Sequence, residues 1–254
     1  MLGLARALER EEFCLYYQPI ISLYDGRLSG FEALVRWRHP RRGLVNPDEF
    51  IRLAEETNAI VAIGEWILRE ACRQLQSWRA IFASAQDLQM NVNVSAKQLA
   101  TPLFVRTVES ALSASGLNLG GLNVEITESV LVTDADAARS TLVQLKRLGV
   151  HIHLDDFGTG YSSLGYLHNF PIDELKNDRS FVSDSKVSGL ASIDIVRTII
   201  ALAQSLSLAV TAEGIETEEQ RDQLQALECS HDQGYYFSRP VDASKAGGLV
   251  AGCR

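Results

Sequence analysis

Apolar and polar residues change rhythm several times along the chain, and each change marks an element. Residues 4–12 repeat with a helical period, which predicts a short amphipathic helix. The next run, FCLYYQPIISL, is rich in aromatic and β-branched residues and stops at the turn residues Tyr24, Asp25 and Gly26. LSGFEALVRW follows, so residues 13–38 predict one β-hairpin. HPRRGLVNPDEF reads as a loop running into a helix start at Asn46-Pro47-Asp48-Glu49, and the spacing onward to Phe82 is helical with a break near Asn58.

Beyond Phe82 strand and helix patterns alternate. LQMNVNVS, LNVEITES, VHIHLDDF, DELKND, LAVTAEGI and CSHDQGYYF predict strands, and the stretches between most of them carry helical periodicity. Such repeats predict a parallel sheet, and about eight strands over roughly 250 residues favour a closed barrel over an open sheet. One domain is expected over residues 1–254, with residues 1–12 as a leading helix and linker and residues 241–254 as a C-terminal tail. GTGYSSLGYLHNFP has no periodicity, and a loop of that length in a compact barrel is expected to be functional.

Composition restricts the function classes. Apolar residues make up 46% of the chain and charged residues 22%, values of a globular protein with ample core. A net charge of -8 argues against a general nucleic-acid polymer binder but not against a phosphate ligand, because carboxylates can hold cations that meet the phosphate. Cys14, Cys72, Cys229 and Cys253 have no C-x-x-C spacing, which argues against a zinc ribbon and fits a reduced, cytoplasmic setting. No apolar run approaches the roughly 18 residues of a membrane span, so no membrane contact by this domain is expected.

In parallel barrels the active site forms at the carboxyl ends of the strands. Polar residues recur there: Glu32, Asn93, Glu125 and Glu128, Asp155 and Asp156, Lys176 and Asp178, then Glu213. Any single one is explained equally well as a cap, a turn former or half of an ion pair. Six or more carboxylates at one mouth would repel each other and lose solvation unless cations neutralised them. The donors are hard oxygens without cysteine or histidine, which suits Mg²⁺ or Mn²⁺, and the adjacent Asp155-Asp156 pair suggests two ions.

The chain resembles the EAL domain family from near its first residue to about Pro240, through YQPI, FEALVRWRHP, VNVSAKQL, VEITES, LDDFGTGYSSL, LKNDRSFV, AEGIE and QGYYFSRP. The resemblance implies a TIM-like (β/α)8 barrel with an antiparallel first strand, and hydrolysis of cyclic di-GMP to linear pGpG by a water activated between two metals. It implies that Glu32, Asn93, Glu125 and Asp155 hold one ion while Asp155, Asp156 and Glu213 hold the other. Lys176 would contact the attacking water or the phosphate, with Asp178 orienting it; Arg36 would contact phosphate, and Gln18 and Gln233 would line the nucleotide pocket. Glu128 would pin the loop at Gly158-Thr159-Gly160-Tyr161, and Glu216 would support the second-metal side. Asn177 departs from the family's apolar residue, and strand alternation predicts that it faces the helical layer, away from Lys176.

Two other readings compete. A catalytically silent cyclic di-GMP receptor would keep the fold but characteristically lose metal ligands, and every matched ligand position is retained here. A barrel metalloenzyme acting on enolates would need paired lysine bases, which the strand ends do not supply. The resemblance further implies a homodimer through the helices adjoining the DFGTGYSSL loop, and a longer parent protein with sensory or diguanylate cyclase-like domains.

Overall fold

In the computed structural model of the chain, which describes residues 2–117, 119–158, 167–183 and 189–252, the described residues form one nine-stranded sheet. Its strands are β1 (Phe13–Ser22), β2 (Leu28–His39), β3 (Gly43–Val45), β4 (Gln89–Asn93), β5 (Leu122–Thr127), β6 (His151–Phe157), β7 (Glu174–Asn177), β8 (Ala209–Glu213) and β9 (His231–Gln233). Eight close into a ring in the order β1-β9-β8-β7-β6-β5-β4-β2, with β1 pairing back onto β2, while β3 only extends β2. β1 runs antiparallel to both ring neighbours, and the other ring pairs are parallel. The chain is therefore a TIM-like barrel with an antiparallel first strand, and among the described residues helices cross between successive parallel strands at every step except β6 to β7.

The two faces of the barrel wall differ in chemistry. Outward positions such as Phe31, Met90, Val92, Val124, Ile152, Leu175 and Val210 are buried beneath the helices, where each contributes roughly 1.5–3 kcal/mol of transfer free energy. The helix Ala59–Ile81 supplies one wall of this layer, and its Trp78 meets Tyr17 and Phe31 at ring separations of 5.0 Å. Asn58, in the left-handed region at φ 58°, separates that helix from Ile51–Glu56, as the break in periodicity predicted.

Three expectations shift. The leading helix spans Leu2–Glu9 and stops before Glu11, whose φ of 56° turns the chain into β1. HPRRGLVNPDEF contains β3, which pairs Trp37, Arg38 and His39 with Val45, Leu44 and Gly43. Within the expected C-terminal tail, Val241 bridges Tyr17, and the helix Ala243–Gly252 buries Ala246 and Val250. Most of the GTGYSSL loop, residues 159–166, lies outside the described residues. No helix among the described residues is long and apolar enough to cross a membrane.

Candidate active site

Strand register brings the predicted carboxylates together at the carboxyl ends. Glu32 and Asn91 are neighbours across β2–β4, Asn93 and Glu125 across β4–β5, and Glu213 and Gln233 across β8–β9. At the centre lies the fully buried Lys176. Its Nζ is 2.7 Å from Glu125 Oε1 and 2.7 Å from Glu213 Oε1, 3.5 Å from Glu32 Oε2 and 3.8 Å from Asp155 Oδ1. Amides fix Glu32 from both sides: Asn93 Nδ2 donates to Oε1 at 2.6 Å and Gln233 Nε2 to Oε2 at 2.7 Å.

Adjacent strand residues normally point to opposite faces, so Asp155 and Asp156 need a local device to serve one site. β6 provides it. Its pairing with β7 shifts register between Leu154 and Phe157, and Asp156 sits at φ 54°, in the left-handed region. A bulge with a non-glycine residue in that region marks a strained position retained beside functional groups. Asp156 then hydrogen-bonds Asp178 instead of disappearing under the helices.

One ammonium cannot balance so many carboxylates. Burial, reinforced by Glu32 and Asp155, pushes Glu125 well above the usual carboxylate range. Burial likewise drives Glu213 up to about 7, and Asp156 to about 6 with help from Asp155 and Asp178. Burial opposes the charge on Lys176 too, yet Asp155, Glu125, Glu213 and Glu32 together hold it well above the ordinary lysine value. Glu32 is the exception among the acids, because Lys176, Gln233 and Asn93 outweigh its burial and hold it low.

This donor set fits Mg²⁺ or Mn²⁺ chemically. Its members are hard oxygens, and Glu125 Oε2 and Asp155 Oδ1 are buried without a hydrogen-bond partner. As the side chains stand, no three His, Cys, Asp or Glu among the described residues converge on one ion position. The Lys176 ammonium occupies the space between them.

The remaining predicted residues are distributed less tightly. Asp178 does not orient Lys176: it is not among the carboxylates within reach of Nζ, and its Oδ1 accepts from the Ser180 amide at 2.9 Å. The reason is its position past the end of β7, where the chain turns into the helix Ser180–Ser183. Arg36 donates to Val35 O at 2.9 Å and lies 5.7 Å from the Tyr16 ring, on the part of the hairpin extending beyond the carboxylates. Gln18 donates to Ser238 O at 3.4 Å. Glu128 opens the helix Glu128–Thr133, and the loop segment expected against it lies outside the described residues. Glu216 is exposed, with its amide N–H donating to Gln220 Oε1 at 2.7 Å. Asn177 is buried opposite Lys176, and neither its amide nitrogen nor its oxygen has a partner among the described residues.

Two cavities flank Leu34. The larger, about 420 Å³, reaches Asn93, Glu125, Asp155 and Asp156 as well as Asp48 and Glu55. The smaller, about 160 Å³, is lined by Gln18, Glu32, Glu213, Gln233, Arg179 and Tyr235. Arg179 and Tyr235 were not predicted. Gly214, at φ +76°, lets Arg179 approach, since a Cβ there would come within 2.5 Å of Arg179 Cβ.

A second interior layer was also missed. Beneath the carboxylates lie Asn91, Asn123, His153, Glu174, Thr211 and His231, all buried except the half-buried His231. Glu174 accepts from Thr211 Oγ1 and lies 3.7 Å from His153 Nε2 and 3.6 Å from His231 Nδ1. Burial would raise Glu174, but the two histidines and Thr211 hold it down at about 2. The signal was present: each of these residues stands two positions before a site residue on its own strand.

The EAL domain family profile matches residues 3–240. The bifunctional diguanylate cyclase/cyclic di-GMP phosphodiesterase MucR of Pseudomonas aeruginosa is 44% identical over 248 residues, 98% of this chain and 36% of that protein. The cyclic di-GMP phosphodiesterase NbdA of the same organism is 45% identical over 238 residues, 94% of this chain and 30% of that protein. The chain thus spans about a third of the length of these relatives. The solved PaMucR phosphodiesterase in complex with c-di-GMP superposes with a TM-score of 0.91 at 44% identity, covering 96% of this chain and 97% of that one.

Proposed function

The chain belongs to the EAL domain family, and from that premise we propose that it hydrolyses cyclic di-GMP to linear pGpG with the help of two divalent cations, Mg²⁺ or Mn²⁺. The observation that carries this reading is the convergence of Glu32, Asn93, Glu125, Asp155, Asp156 and Glu213 on one barrel mouth, around a buried lysine. Glu32, Asn93, Glu125 and Asp155 would hold one cation, and Asp155, Asp156 and Glu213 the other. Cations so held turn water into a strong nucleophile at neutral pH and offset the charge that develops on the phosphodiester.

The residues around that centre bind and orient. Lys176 places a permanent positive charge beside the reacting phosphate, and burial keeps that charge effective. Gln233 and Asn93 keep Glu32 ionised and fixed in rotation. Arg179 and Arg36 supply cationic groups for the second phosphate, and Gln18 and Tyr235 offer hydrogen bonding and a ring face to a guanine. The net reaction adds water across one P–O3′ bond, leaving a 5′-phosphate and a free 3′-hydroxyl. Within the longer parent protein implied by its relatives, the domain is read as a homodimer joined to sensory or diguanylate cyclase-like domains; light scattering at micromolar concentration tests the dimer.

Chromatography after mixing the protein with cyclic di-GMP and Mg²⁺ or Mn²⁺ tests the activity. Appearance of pGpG supports the hydrolase, whereas tight binding without product transfers the reading to a silent receptor.

Cation uptake should also be linked to protons. Glu213 has a folded pKa of about 7 against an ordinary 4.5, so its contribution to metal-free stability is complete below pH 4.5 and is lost as pH rises through 7. Cations require the ionised form, and the same holds for Asp156 at about 6. From these two groups, metal binding is therefore expected to release about one proton more per protein at pH 6 than at pH 8. Calorimetry in buffers of different ionisation enthalpy measures this; equal release at both values would contradict it.

A further inference from the structure

On the metal-binding reading above, we infer that Asn91 is a positioning residue for Glu125, holding that carboxylate in the rotation from which it ligates a cation. Asn91 is buried in the layer beneath the mouth, and its Nδ2 donates to Glu125 Oε1 at 2.7 Å. The same oxygen faces Lys176 Nζ, while Glu125 Oε2 is buried without a hydrogen-bond partner. One lobe of the carboxylate is thus anchored and the other is left for a ligand.

An amide presents a donor or an acceptor according to which way it is turned, so something must fix its sense. Asn123 does so. Fully buried on β5 and in register with Asn91, it donates from Nδ2 to Asn91 Oδ1 at 2.8 Å and to Gln89 Oε1 at 2.9 Å. With its oxygen engaged, Asn91 must direct both amide hydrogens upward and sideways, one to Glu125 and the other toward His153 Nδ1 at 3.3 Å. Turned the other way, it would set an oxygen against the Glu125 carboxylate. Gln89, Asn123, Asn91 and Glu125 therefore form a directed ladder across β4 and β5, with the metal ligand at its top. Partners that orient a ligand carboxylate act on metal affinity without touching the ion.

The experiment compares substrate-free wild type, Asn91→Leu and Asn123→Leu, reading Mn²⁺ affinity by electron paramagnetic resonance and the melting temperature in EDTA. Asn91→Leu is expected to bind Mn²⁺ about 10- to 100-fold more weakly, and Asn123→Leu about 3- to 10-fold, with EDTA melting close to wild type. Either variant, folded and binding Mn²⁺ within about twofold of wild type, overturns the assignment. If Asn91→Leu does not fold, Asn123→Leu decides alone, because the Asn123 amide donates to Asn91 and Gln89 and acts on Glu125 only through Asn91. Wild type that fails to bind Mn²⁺ overturns the metal reading itself, an outcome distinct from unchanged affinity in a variant.

Discussion

Substituting Glu32 with alanine is expected to lower cyclic di-GMP turnover by about 10³-fold or more, while lowering the stability of the metal-free fold at neutral pH only modestly. The activity loss follows from position. Glu32 lies among the carboxylates around Lys176, is held from both sides by Asn93 and Gln233, and would give the first cation one of its ligands. The stability expectation follows from charge. Against its burial, Lys176, Gln233 and Asn93 hold Glu32 below the usual carboxylate range, so its ionised form supports the fold at neutral pH, whereas its charge helps to raise Glu125, Asp155 and Glu213 beside it. Removing it relieves repulsion among those acids, which partly offsets the loss of its attraction to Lys176 and of the acceptor for the Asn93 and Gln233 amides. Product chromatography together with melting in EDTA checks both halves. A Glu32→Ala protein that keeps a tenth of wild-type turnover would remove Glu32 from the metal site; loss of turnover with a collapsed melting temperature would make the loss a folding effect.

Legibility in the sequence followed the physics of the barrel wall. The mouth residues could be read because a ring of acids at strand ends has no comfortable explanation without a counter-charge, and the motif string fixed their identities. The layer below could not be read the same way. Asn91, Asn123, His153, Glu174 and Thr211 sit in strands whose outward neighbours are apolar, and polar alternation of that kind also describes a strand with one face in water. Only closure of the sheet converts the polar face into an interior. Two adjacent aspartates gave a hint of two ions but not of the bulge at Asp156, because φ depends on the pairing between β6 and β7 and not on local composition. Asp178 misled for a related reason: proximity to Lys176 along the chain does not survive the end of a strand, where the backbone turns and the side chain serves its own helix start. The helix Ala243–Gly252 was overlooked because glycines dilute its periodicity, and it gains its place by burying Ala246 and Val250.

Substituting Lys176 with methionine is expected to destabilise the metal-free protein by about 3–5 kcal/mol at pH 8, because it leaves Glu32, Glu125, Asp155 and Glu213 around an apolar side chain of similar length. The effect should depend on pH with a definite sign. Without the ammonium each carboxyl gains a stronger preference for its proton: Glu125, Asp155 and Glu213, already raised, rise further above their unfolded values, and Glu32 loses the charge that most holds it low. Stability is then retained at pH 5 and lost as pH rises through 7. Divalent cations should restore the melting temperature at pH 8, since they supply the missing positive charge to the same oxygens, yet turnover should stay low because no lysine stands beside the phosphate. Denaturant unfolding in EDTA and in Mg²⁺, at both pH values, separates these contributions. If Lys176→Met were as stable as wild type in EDTA at pH 8, the carboxylates would be balanced by protons alone. Lys176 would then act only on bound substrate, and turnover of the variant would report that role free of any folding effect.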